Sequence, residues 1–235
     1  MERISEEVIS RNEHLRADAG DFAIWQFVTR GPGRWAHGAG PPAVGVYVRS
    51  LGFARFAHLY QEGAHAVIAR TRSHSPDALD PKVKNFSRMN FNMAELEAAD
   101  VDPAAWPILL DSHGNITEGT GYNVFMVTHG VIRTAGDRVV LQGVSRATVV
   151  DLAKDLGIPI VEEDLQPYDL YTADEAFVAS TSPCVLPVTR VDRRQIGPGT
   201  PGPVVQRLLA AWSETVGVDI VGQARRFAAL ERPNS

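Results

Sequence analysis

The sequence predicts an α/β protein built on mixed sheets, and three observations carry the prediction. Apolar runs of strand length recur along the chain, as in Phe22-Ala23-Ile24-Trp25-Gln26-Phe27-Val28 and Val124-Phe125-Met126-Val127. Helical segments with a single apolar face lie among them. The two kinds do not alternate strictly, which argues for mixed sheets over a doubly wound parallel one. With 235 residues the chain can form one large domain or two small ones. The polar, proline-bearing stretch Ser73 to Pro81 marks a boundary. The expected organisation is a small N-terminal α/β domain over 1–75, a connector at 76–82 and a larger domain over 83–235.

Ser5 to about Leu15 reads as a helix, with Ser5 as its N-cap and acidic residues in its first turn. After the strand Phe22–Val28, Thr29-Arg30-Gly31 opens a Gly/Pro-rich loop to Pro42 that holds Arg34, Trp35 and His37. Val44 to Val48 is a second strand. Phe56 to about Gly63 reads as helix with Gly63 as its C′ residue, and Ala66 to Ala69 as strand. Beyond the connector, Asn90 to about Ala99 forms a helix. Leu109-Leu110 ends an apolar run, and Asp111 to Asn115 are turn residues, with Gly114 free to take positive φ. Val131–Thr134 and Arg138–Leu141 read as short strands. The cleanest helix is Arg146 to Leu156, where Val149, Leu152, Ala153 and Leu156 share one face. Ser145 is its N-cap candidate and Gly157 its C′ residue. Ile158–Val161, Glu175–Val178 and Val185–Val188 are expected strands, and Pro203–Thr215 the last strong helix.

Composition narrows the function. Hydrophobic residues make up 44% and charged residues 22%, as in ordinary globular domains. The net charge of −5 and the lack of a long basic run point away from nucleic acid and anionic membranes. A single cysteine, Cys184, excludes an intramolecular disulfide framework, and no Cys/His cluster has zinc-ligand spacing. A reducing cytoplasm is the expected location. The charged start, Met1-Glu2-Arg3, does not read as a signal peptide.

The chain is organised around Leu110 to Val127, where one carboxylate, Glu118, precedes Gly119, Thr120 and Gly121. Glycines there let another group approach the backbone, so Glu118 is a candidate ligand contact. From this stretch alone, a solvated hairpin with a surface glutamate is an equal alternative. The pattern Asp111-x-x-Gly114-x-x-x-Glu118-Gly119-x-x-x-Asn123-Val124-Phe125 resembles the signature of the class IV, pyridoxal-phosphate-dependent aminotransferases. These share the fold of the branched-chain and D-amino acid aminotransferases. Three more blocks stand in that family's order: Asp80-Pro81-Lys82-Val83-Lys84-Asn85-Phe86, Leu141-Gln142-Gly143-Val144-Ser145-Arg146, and Ala173-Asp174-Glu175-Ala176-Phe177 followed by Ala179-Ser180-Thr181. The likeness spans about residues 5–210.

The resemblance implies a two-domain fold type IV architecture whose small domain lacks its N-terminal part, a pyridoxal 5'-phosphate cofactor and a homodimer. It implies transfer of an amino group between an amino acid or amine and a 2-oxo acid. Lys84 would form the Schiff base, with Lys82 as the neighbouring decoy, and Glu118 would face the pyridine nitrogen. The phosphate seat is argued from the helix start, where unpaired N–H groups and the positive dipole end favour an anion. Gly143 turns the chain into it, Val144 and Ser145 donate backbone N–H, and Ser145 adds its hydroxyl. Thr181 matches the family's phosphate-binding hydroxyl, with Ser180 and Ser182 able to share that role. Leu141 matches a residue packed on the ring face. Asn123 and Asp174 fit motif positions as structural residues. Arg34, Trp35 and Ser182 are candidate substrate contacts.

Some residues depart from the family pattern. Met89 stands where branched-chain enzymes usually carry a tyrosine, and Ser180-Thr181-Ser182 where they carry Gly-Thr-Ala. The spacing from Lys84 to Asn90 looks closer to the D-amino acid and (R)-amine transaminase branch. The family's His-x-x-Arg-Leu block, whose arginine grips the phosphate, has no match, and Arg146 is the first substitute to consider. Two other readings stay open: an aminodeoxychorismate lyase-like enzyme, which would release pyruvate without nitrogen transfer, and a non-catalytic paralogue, which would fail to bind the cofactor.

Overall fold

The computed structural model describes residues 1–15, 22–31 and 40–231. It divides into two compact units, Met1–Gly52 and a larger one from Phe53 onward. The first holds α1 (Glu2–Arg11) and an antiparallel ribbon of β1 (Phe22–Thr29) and β2 (Ala43–Ser50). Helix α1 begins earlier than the sequence suggests, with Met1 as its N-cap. Ser5 is therefore interior: its hydroxyl donates to the Met1 carbonyl at 3.1 Å and accepts from Gln26 Nε2 at 2.7 Å. Across the ribbon Phe27 pairs with Gly45, whose missing side chain leaves room for the Phe27 ring.

The larger unit carries a nine-stranded sheet of both pairing senses. Its strands are β3 (Ala64–Arg72), β4 (Trp106–Leu110), β5 (Ile116–Gly119), β6 (Asn123–Thr128), β7 (Val131–Thr134), β8 (Ile160–Glu162), β9 (Glu175–Ser180), β10 (Cys184–Val191) and β11 (Arg194–Gln195). β3 pairs parallel with β4 and β10, and β7 parallel with β8; the other pairings are antiparallel. Because β9 pairs with both β6 and β10, the strands β3, β4, β5, β6, β9 and β10 close into a ring. Phe125 and Phe177 are register partners across β6 and β9, fully buried and stacked with centroids 4.9 Å apart.

Around the sheet lie α2 (Leu59–Glu62), α3 (Met89–Ala99), α4 (Val144–Asp155), α5 (Pro167–Tyr171), α6 (Pro203–Val216) and α7 (Ile220–Glu231). Glu175, 8% exposed, starts α6: its two carboxylate oxygens accept from Val204 N and Val205 N, each at 3.0 Å. Gly202 makes room for that carboxylate, since a Cβ there would lie 2.0 Å from it.

The structure corrects several expectations. β3, expected within a domain over 1–75, is an interior strand of the large sheet, because β4 and β10 flank it on both sides. Residues 56–63 do not form one helix; a 3-10 turn at Phe53–Phe56 precedes the single turn of α2. Arg138–Leu141 is not a strand, because Leu141 N donates to the Glu118 side chain instead of to a sheet. Helix α4 starts at Val144 with Gly143 as N-cap, which places Ser145 inside the first turn. α5 and α7 carried no strong sequence signal. α5 is held by Pro167 at its start and by reciprocal capping between Gln166 and Asp169. α7 follows Gly217 at φ 67 and sets Phe227 edge-on to Phe53, with ring centroids 5.5 Å apart.

Candidate active site

The turn between β4 and β5 is closed by Asp111, whose Oδ1 accepts from His113 N and Asn115 N at 2.8 Å. Gly114 takes φ 88 there, as its place in the sequence suggests. The turn delivers Glu118 to the end of β5, opposite Asn123 of β6. Gly119 lacks a side chain because the Tyr122 ring folds over it, with the Tyr122 hydroxyl donating to the Pro107 carbonyl at 2.7 Å. The group that closes on this glycine is thus the chain's own.

Glu118 and Asn123 together hold the loop before α4. Glu118 Oε2 accepts from Leu141 N at 3.0 Å, and Asn123 Nδ2 donates to the Leu141 carbonyl at 3.0 Å. Gly143 packs against Asn123, where a Cβ would lie 2.7 Å from Oδ1. The start of α4 has no side-chain cap, so the first-turn N–H groups at Val144 and Ser145 are free to meet an anion. Burial pushes the Glu118 carboxyl up to about 7, against the opposing pull of the Leu141 N–H and of Lys84 and Arg88. The second oxygen of Glu118 has no hydrogen-bond partner among the described residues.

A cavity of about 290 Å³ opens beside this loop. Lys84 and Glu118 line it, as do Leu141, Gly143, Val144 and Ser145. Ser180 and Thr181, at the end of β9, complete the same wall. Lys82 is not part of the lining; its ammonium lies 3.3 Å from Asp80 Oδ1. Ser182 does not line the cavity, since the chain turns away between β9 and β10 after Thr181. Asp174 is remote and structural, accepting from His129 N at 2.7 Å. Arg34, Trp35 and His37 lie outside the described residues.

Arg146 is not a substitute phosphate arginine. It is 7% exposed and bound on the far side of α4, donating to the Ala135 carbonyl at 3.0 Å and pairing with Glu162 at 2.7 Å. The arginine that lines the cavity is Arg88, the N-cap residue of α3. Met89 beside it is exposed and outside the lining. No motif position marks Arg88; its place four residues after Lys84 is the signal in the sequence that points to it. Asn90 also lines the cavity, with a buried Oδ1 that has no hydrogen-bond partner among the described residues. Cys184 is no candidate nucleophile: burial pushes its thiol up to about 11.

The comparisons agree on one family. The model of amino-transferase class IV matches residues 1–191. A Methanocaldococcus jannaschii protein with a provisional branched-chain-amino-acid aminotransferase name is 39% identical over 153 residues, 64% of this chain and 52% of its own length. The branched-chain-amino-acid aminotransferase of Pseudomonas aeruginosa is 34% identical over 186 residues, 77% of this chain and 55% of its own length. The chain thus spans about half the length of these curated relatives. Among solved structures, a T.th. branched-chain amino acid aminotransferase with pyridoxamine 5'-phosphate superposes with TM-score 0.76 at 27% identity, covering 95% of this chain and 73% of that one. These likenesses establish the fold type IV architecture, and with the family model they show that the chain belongs to the class IV aminotransferases.

Proposed function

We propose that the chain is a pyridoxal-phosphate-dependent aminotransferase, moving an amino group between an amino acid or amine and a 2-oxo acid. The observation that carries this reading is that Lys84, Glu118 and the uncapped start of α4 line one cavity. The donor set fits the cofactor: an amine that makes no hydrogen bond among the described residues, a half-satisfied carboxylate, and an anion seat at a helix end. When bound, the cofactor supplies an electron sink for the charge left at the substrate Cα when its proton departs.

The chain's own residues do the rest. Glu118 would accept the N–H of the ring nitrogen, because a buried carboxyl pushed up to about 7 would become an anion once a cation faces it. The Val144 and Ser145 N–H groups and the hydroxyls of Ser145, Ser180 and Thr181 bind the phosphate. Leu141 would cover the ring face. Lys84 Nζ would hold the cofactor covalently and, once displaced, would take the proton from the substrate Cα and pass it to the cofactor carbon that receives the amino group. Leu79, Phe91 and Val139 give the cavity an apolar side suited to an aliphatic chain, in keeping with the names of the relatives.

We place this activity in a homodimer in the cytoplasm. Met89, Met93 and Leu96 make an exposed apolar stripe along α3 at helical spacing, with exposed Phe86 just before the helix, and this is the surface a second copy would cover. No helix among the described residues is long and apolar enough to cross a membrane. The function is tested by incubating the protein with cofactor, an amino donor and a 2-oxo acid. Formation of a new amino acid supports the reading. Pyruvate released without nitrogen transfer would favour the lyase, and failure to take up the cofactor would favour a non-catalytic protein.

A further inference from the structure

Arg88 is the cation of the cavity that the chemistry above leaves unused. Two contacts fix its guanidinium. Nη2 donates to the Thr120 carbonyl, and the group lies over the Phe91 ring with Cζ 4.5 Å from the centroid. A guanidinium carries five N–H donors in a rigid fork. Thr120 occupies one of them, and no other acceptor and no carboxylate within ion-pair distance meets the rest among the described residues. Two arginines away from the cavity are paired with carboxylates instead: Arg133 with Glu163 and Asp169, and Arg146 with Glu162, although the buried Arg146 Nε meets no partner among the described residues. A half-buried arginine held in one plane with its fork open is built to receive a planar anion.

Two anions could enter this cavity, a phosphate and a carboxylate. The phosphate already has a seat at the start of α4 and at Ser180 and Thr181, all on other elements. Arg88 is tied instead to Thr120, two residues beyond Glu118. We propose that Arg88 docks the carboxylate of the substrate, so that the site selects amino acids and 2-oxo acids over simple amines. This rests on the aminotransferase reading and deepens it. Arg88 is then a binding residue that orients the substrate; it moves no proton.

The test uses the cofactor-loaded protein and the variants Arg88→Gln and Arg88→Lys. Calorimetry measures binding of 4-methylpentanoate, a carboxylate that cannot react. Single-turnover spectra compare leucine with 3-methylbutylamine, which has the same side chain without the carboxylate. Arg88→Gln is expected to weaken binding of 4-methylpentanoate and leucine about ten- to hundredfold, to leave the amine unaffected, and to leave cofactor affinity within about twofold. Arg88→Lys should recover part of the loss, because it keeps the charge without the fork. Unchanged carboxylate binding, or equal losses for leucine and the amine, would overturn the assignment. A loss of cofactor affinity instead would give Arg88 to the phosphate and also overturn it. If the parent takes up no cofactor, the aminotransferase reading fails and this inference with it.

Discussion

Replacing Glu118 by Gln separates what the residue does for the cofactor from what it does to the fold. The ordinary value of this carboxyl is 4.5, and burial pushes it up to about 7. The native chain therefore holds the Glu118 proton more tightly than the unfolded chain does. The stability contributed by the neutral carboxyl is fully present below pH 4.5 and is lost as pH rises towards about 7. At about 1.36 kcal/mol per pH unit, the full effect is about 3 kcal/mol, and water reaching the open side of the cavity reduces it to about 1–3 kcal/mol. Gln keeps the shape and the acceptor for Leu141 N but cannot ionise. Urea denaturation of the cofactor-free parent and of Glu118→Gln at a series of pH values gives a difference curve in which the other titrating groups cancel. The variant is expected to match the parent near pH 4.5 and to exceed it by about 1–3 kcal/mol near pH 8. Adding cofactor should narrow or reverse that gap, because the ring nitrogen stabilises only the anion. Stability curves that run parallel across this range would show that Glu118 is not under electrostatic strain, and the assignment to the ring nitrogen would lose its physical basis.

Lys84 is expected to be the lysine that borohydride traps with cofactor, and peptide mapping that finds the pyridoxyl mass on Lys82 would overturn the choice. Glu175→Ala should lower stability by about 2–4 kcal/mol in urea denaturation, because it removes both acceptors from Val204 N and Val205 N at the start of α6. A loss under about 0.5 kcal/mol would mean that water replaces the carboxylate. For the proposed homodimer, Met93→Glu combined with Leu96→Glu should give a monomer in light scattering, without loss of helix content by circular dichroism. A dimer that survives both charges would place the interface elsewhere.

The sequence was most legible where a single local rule decides structure. Asp111 and Gly114 can do little but turn the chain, and Val124 to Val127 is buried on both faces, as an unbroken apolar run predicts. It was least legible where side chains reach across the fold. Arg138–Leu141 has strand-like residues, yet Glu118 and Asn123 take its hydrogen-bonding groups at Leu141, and no periodicity reveals that. β3 looked like part of a small N-terminal domain because the polar connector follows it in the chain. Its register with β4 and β10 is non-local and leaves no local mark. Arg88 is silent in the sequence for a similar reason: its motif neighbours identify Lys84, but Thr120 and Phe91, distant in the chain or in the next helical turn, hold its guanidinium at the cavity.

The way Leu141 is held has a consequence for binding. Its N–H belongs to Glu118 and its carbonyl to Asn123, so both sides of one residue are tied to adjacent strands, β5 and β6. Two residues later the chain becomes Gly143, the N-cap of α4. On the proposed reading, Glu118, which would face the ring nitrogen, and the Val144 and Ser145 N–H groups, which would meet the phosphate, are joined through this one pinned residue. Their separation is set by backbone and by two hydrogen bonds, which suits a flat, rigid ligand with a cation at one end and an anion at the other. Preorganisation of this kind lowers the ordering cost that binding would otherwise incur. It also explains why a chain would keep a buried carboxyl that weakens its empty fold above neutral pH. The same hydrogen bond that holds Leu141 in place also fixes Glu118, so on the proposed reading a facing pyridinium would offset the cost of burying that carboxyl and add to affinity.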